Sequence, residues 1–256
     1  MVFLFSIPAV HAQEVHCALV SQTALKADRF IGVDDFDNTY YITAGALNKK
    51  SGETVIRYTN LQLGAIGSAD ILNPLEITVF YPDFNTVITL DNTLNEIVKI
   101  DFNQLKNFRN VRYATTANDK NLWIFNADLQ QLELYNYQTR EILAANQPLN
   151  REVIAQKSNY NFCWLLTGKT LLKYNSYGSL LTAAPLEGYE DFVQSGDHIV
   201  LKKAGALFYK KDGTDGAAPL KISEIRIKDF SITGNNLYIY DGEKLYRYQL
   251  NFSKKQ

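Results

Sequence analysis

Short apolar runs alternate with turn residues along the whole chain, and the pattern repeats about every 40 residues. Six apolar runs share one form, in which an Asn or Asp precedes the run. These runs begin at Asn38, Asn85, Asn121, Asn161, Asp197 and Asn236. A further short run follows each of them, as at residues 132–135, and another precedes it, as at residues 30–33 and 77–80. Six units of three or four short strands predict an all-β fold, a six-bladed β-propeller.

The two ends of the chain predict how the ring closes. The last unit ends near Phe252, which leaves no room for a fourth strand before Gln256. A spare apolar run, residues 15–21, precedes the first complete unit. Pairing this run with the outside of the last blade removes an exposed sheet edge. We therefore expect residues 13–256 to form a single domain closed by its N-terminal strand.

The first twelve residues are apolar and uncharged, and they end in Val10-His11-Ala12. This is typical of the tail of a secretory signal peptide, here without a basic n-region, with cleavage near Ala12. The alternative is a buried first strand. No later run reaches the roughly 18 apolar residues of a transmembrane helix. We expect an exported, soluble protein with no direct membrane insertion.

Charge and cysteine content narrow the function classes. The chain has 26 Lys and Arg against 27 Asp and Glu, a net charge of -1, without a basic cluster. Nucleic acid binding needs such a cluster, so this class is excluded. Cys17 and Cys163 are able to pair in an oxidising compartment. Cys163 lies in an apolar run, which favours a buried, unpaired thiol instead.

Candidate catalytic and metal-binding chemistry is sparse. His198 follows Asp197 at a turn, which predicts a solvated side chain, and no Ser-His-Asp or His/Cys cluster can be assembled around it. Residues 34–38 and 212–216 look like calcium loops but lack the required spacing and the closing Glu. Both are interpreted as hairpin turns. We expect no catalytic residue, metal or cofactor.

One polar pattern remains, because each predicted innermost strand begins with a charged residue. These residues are Arg29, Glu76, Arg112, Glu152, Asp191 and Asp229. In a propeller they would meet around one mouth of the central channel. Four acids and two arginines either bind a cation or polar substrate, as in propeller lactonases, or form a rim of mutually paired charges that contribute little.

Residues 71–77 (ILNPLEI), 80–84 (FYPDF) and 90–94 (LDNTL) carry a family resemblance. They resemble a segment of small exported β-propellers of Bacteroidota, a group that includes the plug subunit of the type IX secretion translocon. The resemblance implies a periplasmic, non-enzymatic protein whose partner is an outer-membrane translocon channel. It covers about 25 residues locally, and the blade pattern extends it over residues 30–250.

Three functions are compatible with these observations. The first is a non-catalytic module that binds a protein partner through exposed loop aromatics, for which Tyr81, Phe84 and Tyr189 are the candidates. Residues 81–84 are expected in a turn between the first and second strands, with their rings either exposed or tucked under neighbouring blades. The second is a hydrolase or lactonase with a polar or metal site at the channel mouth. The third is a carbohydrate-binding propeller, although Trp123 and Trp164 lie inside strands and resemble core residues.

Overall fold

The computed structural model describes residues 15–252, which form six four-stranded antiparallel sheets. Two short 3-10 helices lie between strands: Pro82–Phe84 follows the strand that ends at Tyr81, and Phe102–Gln104 follows the strand that ends at Asp101. The strands in chain order are β1 (Val15–Ala24), β2 (Arg29–Val33), β3 (Thr39–Thr43), β4 (Ala46–Ser51), β5 (Thr54–Tyr58), β6 (Ser68–Asp70), β7 (Ile77–Tyr81), β8 (Thr86–Leu90), β9 (Glu96–Asp101), β10 (Val111–Thr116), β11 (Asn121–Asn126), β12 (Gln131–Asn136), β13 (Glu141–Ala145), β14 (Val153–Ser158), β15 (Phe162–Thr167), β16 (Thr170–Asn175), β17 (Leu180–Pro185), β18 (Asp191–Ser195), β19 (His198–Lys203), β20 (Ala206–Lys211), β21 (Ala218–Pro219), β22 (Asp229–Thr233), β23 (Asn236–Tyr240) and β24 (Lys244–Phe252).

The sheets are the six blades of a β-propeller, which confirms the predicted fold. Blades 1 to 5 are β2–β5, β6–β9, β10–β13, β14–β17 and β18–β21, and blade 6 combines β22–β24 with β1. The first strands of neighbouring blades lie against one another around the central channel. We call the face at which these innermost strands begin the front face, and the face at which they end the back face.

Strand β1 closes the ring, as the sequence predicts. It pairs antiparallel with β24, with Val15 opposite Phe252 and Ala24 opposite Lys244. The strand extends three residues beyond the predicted end at Ser21, and its register shifts between Leu19 and Ser21. The last blade therefore takes its outer strand from the opposite end of the chain.

The core is divided among the blade interfaces. Six clusters of buried apolar side chains each join two neighbouring blades. Within β7, Tyr81 packs towards blade 1 while Phe80 packs towards blade 3. Second strands are thus covered on both faces, which explains why they are apolar throughout instead of alternating. Trp123 and Trp164 are both buried in these interfaces.

The strand assignment of blade 2 differs from the prediction. Its innermost strand is β6, so the run from Ile77 is the second strand and the run after Asn85 is the third. β6 escaped recognition because Ser68–Asp70 has only three residues and no apolar run. With this correction, the six second strands begin 36 to 44 residues apart.

The two cysteines lie in different blades and are free. Cys17 is half-buried in β1, and Cys163 is buried in β15. Burial raises the pKa of Cys17 to about 11 and raises the pKa of Cys163 well above its usual value. Both thiols are therefore poor nucleophiles at neutral pH.

The predicted signal peptide, residues 1–12, lies outside the described residues. Between residues 15 and 252, no helix has the length and apolar character needed to span a bilayer.

His198 is packed, so the expectation of a solvated turn histidine is wrong. Its ring stacks on Phe252 with 4.3 Å between ring centroids and 4° between the planes. Its Nδ1 lies 3.0 Å from the Tyr209 hydroxyl. Burial lowers the pKa of His198 below its usual 6.5. The imidazole therefore joins blades 5 and 6 in its neutral form.

Deleting residues 1–23 should lower the free energy of unfolding by several kcal/mol, because β24 and the blade 5–6 core would lose their outer cover. Urea denaturation of this variant and of a chain starting at Gln13 provides the measurement and its control. Equal stability of the two chains would contradict closure by β1.

Acid should weaken the His198 contact. Since the pKa is lower in the folded state than in the unfolded state, its stabilising contribution is complete above pH 6.5 and is lost as the pH falls through the folded pKa. Urea midpoints measured from pH 7.5 to 5 should fall less in His198→Phe than in the parent, because phenylalanine retains the stack without binding a proton. Parallel pH profiles would contradict this assignment.

Candidate functional site

Five of the six predicted charged residues lie around the front mouth of the channel. Arg29, Asp191 and Asp229 open their innermost strands, Glu152 immediately precedes β14, and Arg112 is the second residue of β10. Arg112 and Asp191 line the central cavity itself. These five residues therefore lie at one end of the channel.

Most of these charges are engaged by a neighbouring blade. Arg112 Nη2 lies 2.8 Å from Glu152 Oε1, joining blades 3 and 4. Arg29 Nη1 donates to the carbonyl of Gly67 at 2.9 Å, joining blades 1 and 2. Asp229 Oδ2 accepts from the Phe30 amide at 2.9 Å, joining blades 6 and 1. The mouth is therefore a rim of paired groups that fastens the blades.

Glu76 lies elsewhere, so its placement at this mouth is wrong. It precedes the second strand of blade 2 and so lies on the back face. There its carboxylate forms an ion pair with Lys120 at 3.0 Å and accepts a hydrogen bond from the Tyr137 hydroxyl. The misassigned strand of blade 2 is the cause of this error.

The three predicted anchor aromatics differ in exposure. Tyr81 is 1% exposed and packs in the blade 1–2 core, so of the two alternatives for this ring the buried one applies, and Tyr81 is not an exposed anchor. Tyr189 is half-buried, with an edge contact to Phe208 at 5.5 Å between ring centroids. Phe84 is 48% exposed. Its turn joins the second and third strands of blade 2, not the first and second as expected, and so lies on the front face.

Phe84 is one of four exposed apolar side chains on front-face loops of blades 1 to 3, a set that we call the front patch. It consists of four exposed side chains on four loops: Leu61 (92% exposed), Phe84 (48%), Phe108 (53%) and Leu129 (49%). Exposed polar residues flank these side chains in the sequence, among them Asp83, Lys106 and Asp128. Exposed apolar side chains among polar residues are typical of protein-binding surfaces.

Buried Asn85 holds the middle loops of the front patch together. Its backbone is left-handed, with φ 49°, and ends the 3-10 turn that carries Phe84. Its side-chain Nδ2 donates to the carbonyl of Arg109 at 2.6 Å, and its Oδ1 accepts from the Val111 amide at 3.0 Å. The loops of Phe84 and Phe108 are thus connected through one side chain.

Two further contacts extend this scaffold to the outer loops. Asn110 Nδ2 donates to Asp128 Oδ1 at 2.8 Å, which fixes the Leu129 loop beside the Phe108 loop. On the other side, Gly64 lies against the Phe84 turn, where a Cβ would come 3.3 Å from Asp83 and 3.6 Å from the Phe84 ring. The front patch is therefore presented on a preformed surface.

Three residues of the front patch were not identified from the sequence. Leu61, Phe108 and Leu129 are isolated apolar residues in polar loops, and each alone is an ordinary feature of a protein surface. All three residues lie in connections between strands. Correct numbering of the strands places these connections on the front face, and this could have identified the three residues. That numbering depends on recognising β6.

A cavity of about 660 Å³ follows the central channel from the front mouth to the back mouth. Its lining is mixed, with apolar residues such as Ile71 and Ile154 and polar residues from the innermost strands of blades 2 to 6. Among residues 15–252, no group of three or more His, Cys, Asp or Glu side chains is placed to hold a metal ion. Volume and lining are those of a small-molecule cavity.

No protein-family model and no curated protein match the chain. Solved structures do match. Catalytically inactive virginiamycin B lyase from Staphylococcus aureus, solved with quinupristin, has a TM-score of 0.62 at 11% identity, covering 93% of this chain and 100% of that chain. BamB from Moraxella catarrhalis has a TM-score of 0.55 at 10% identity, with coverages of 94% and 99%. A chain of the mitotic checkpoint complex has a TM-score of 0.57 at 12% identity, with coverages of 91% and 74%. These likenesses show the fold alone, which a lyase and a member of a protein complex share.

Tyr81 and Phe84 should respond in opposite ways to truncation. Tyr81→Ser removes a buried ring and should lower the free energy of unfolding by about 3–5 kcal/mol. Phe84→Ser removes a half-exposed ring and should lower it by less than about 1 kcal/mol. Urea denaturation of both variants measures the difference. Equal losses would show that Phe84 is also a core residue.

Proposed function

We propose that this protein is a non-catalytic propeller that binds a protein partner through its front patch. The observation that carries the proposal is the location of Leu61, Phe84, Phe108 and Leu129 on loops of one face, with the Phe84 and Phe108 loops connected by Asn85. Aromatic side chains supply much of the binding energy at protein interfaces. A rigid surface also lowers the entropic cost of association.

The alternative functions have less support. A metal-dependent hydrolase needs free carboxylates at the channel mouth, whereas Glu152 is paired with Arg112 and Asp229 accepts a backbone N–H. A carbohydrate-binding propeller needs exposed stacking platforms, and both tryptophans are 1% exposed. These facts favour the binding of a protein.

For the partner, we propose the periplasmic end of an outer-membrane secretion channel, in line with the resemblance to the type IX translocon plug. The protein would then act in the periplasm after removal of its signal peptide near Ala12. The resemblance includes residues 80–84, and Phe84 of this segment lies in the front patch. A broad, rigid ring with the front patch on one face suits the closure of a wide pore.

Photo-crosslinking in cells of the native host tests the docking face. A photoreactive amino acid at position 84 or 108 should crosslink to one dominant protein, because both positions lie inside the interface. The matched controls are positions 143 and 180, where leucines of similar exposure, 53% and 51%, lie on outer strands. Crosslinking at the control positions with equal yield, or none at 84 and 108, would contradict the proposal.

Truncation then measures the energy of the interface. Phe108→Ser in a chain with the crosslinker at position 84 should reduce the yield, since a hot-spot aromatic contributes about 2 kcal/mol or more. Leu143→Ser should leave the yield unchanged. Mass spectrometry of the product decides the partner class: an outer-membrane channel supports the plug role, and a soluble protein contradicts it while leaving protein binding intact.

A further inference from the structure

A buried carboxylate lies beneath two loops of the front patch. Glu133 is the third residue of β12, the third strand of blade 3, and is 2% exposed. Charged side chains are almost never buried this completely unless they are paired. The cost of taking a carboxylate out of water often exceeds the gain from one ion pair, so the pairing alone does not explain why a Glu occupies this position. The further contacts of its two oxygens do.

One carboxylate oxygen controls the loop that carries Phe108. Glu133 Oε2 accepts from Arg109 Nε at 2.8 Å. The same guanidinium donates through Nη1 to two consecutive backbone carbonyls, those of Asn107 at 3.0 Å and Phe108 at 3.1 Å. Because the guanidinium is planar and rigid, its donors keep a fixed relation to one another. Glu133 therefore fixes the side chain that holds this loop in place.

The other carboxylate oxygen controls the loop that carries Leu129. Glu133 Oε1 accepts from Asn126 Nδ2 at 3.4 Å. The Oδ1 atom of the same amide accepts from the backbone N–H of Asp128 at 3.1 Å and from that of Leu129 at 3.2 Å. Since a backbone N–H can only donate, Oδ1 must face the loop and Nδ2 must face the carboxylate. Asn126 thus connects Glu133 to the Leu129 turn.

A surface contact between Asn110 and Asp128 also joins these two loops. Both of its residues are exposed, so their hydrogen bond competes with water. Glu133 acts from below, where burial strengthens each polar contact. The connection extends to the Phe84 turn as well, because the carbonyl of Arg109 accepts the hydrogen bond from Asn85.

We propose that Glu133 is the positioning residue of the front patch, which sets the Phe108 and Leu129 loops relative to one another for docking. This inference rests on the proposed docking function, because it assigns Glu133 a role at that surface. Apolar residues in place of Glu133 and Arg109 could fill the same space without cost to the fold. They would leave the two loops without a common anchor. The buried charge therefore serves the placement of the loops.

Distances between nitroxide labels at positions 108 and 129 test the positioning role without any partner. The labels are attached through Phe108→Cys and Leu129→Cys in a Cys17→Ser chain, in which the remaining Cys163 is 0% exposed and does not react. We expect one narrow distance distribution from double electron–electron resonance.

Arg109→Met combined with Glu133→Leu removes both charges at once, so no buried charge is left unpaired. The melting temperature of this double variant should stay within about 5 °C of the parent. Its distance distribution should be at least about twice as wide, because hydrogen bonds to both loops are lost. An unchanged, narrow distribution would overturn the proposal, since a purely structural ion pair could be replaced without moving the loops.

Two single variants keep the test decisive if the double variant fails to fold. Arg109→Lys retains a positive charge opposite Glu133 but lacks the rigid fork of donors, so the distribution should broaden in a folded protein. Glu152→Gln breaks the exposed ion pair with Arg112 on the same face and should leave the distribution narrow. No broadening in Arg109→Lys, or equal broadening in Glu152→Gln, would overturn the proposal.

The consequence for docking is measured in the native host with a photoreactive amino acid at position 84. The double variant of Arg109 and Glu133 should reduce the crosslink yield about tenfold, although position 84 itself is unchanged. A parental yield in this variant would overturn the role of Glu133 in docking. A parent chain that forms no crosslink contradicts the proposed function instead, and the label distances then decide the positioning role by themselves.

Discussion

The pairing of β1 with β24 is the constraint on which the rest of the structure depends. Each blade of a propeller buries its two apolar faces against its two neighbouring blades. In an open ring, the first and the last blade would each leave one of these faces exposed to solvent. Blades 1 and 6 lie on either side of this junction, and the apolar cluster between them has five buried residues, fewer than any other interface. Ring closure is thus required where apolar packing is weakest.

Polar contacts reinforce that junction. The Tyr240 hydroxyl accepts from the Ala27 amide at 3.2 Å and lies 2.7 Å from the Gly242 carbonyl, which fixes the segment that leads from β1 into blade 1. On the channel side, Asp229 accepts from the Phe30 amide, and Thr233 Oγ1 donates to the Val33 carbonyl at 2.5 Å. Asp229, a candidate ligand-binding residue from the sequence, therefore has a clear structural role.

The sequence predicts the parts of the structure that depend on apolar periodicity. The number of blades, the closure by residues 15–21 and the burial of Trp123 all follow from where apolar runs and turn residues lie. The inner strand of blade 2 could not be predicted, because three residues without an apolar run leave no periodic signal. That single omission moved Glu76 to the wrong face and Phe84 to the wrong turn.

For a related reason, the sequence could not predict which aromatic side chains at the site are exposed. Tyr81 and Phe84 are three residues apart, yet the first ends a strand that is covered on both faces and the second ends a turn. Only the position of the strand end separates a core ring from a surface ring. The other members of the front patch are distant in sequence, and Asn85 and Asn110 connect the loops of Phe84, Phe108 and Leu129 in the folded chain.

The two ends of the channel have different chemical character because the chain reaches them through different connections. The front face carries the links between blades and the turns between second and third strands, and its charges are used to fasten neighbouring blades. The back face carries the turns that follow the innermost strands, and the exposed residue Asp35 lies in one of these turns at the edge of the cavity. Since backbone pairing closes the ring, each face keeps its shape without help from the other. A partner on the front patch would therefore dock on a preformed surface of one rigid body.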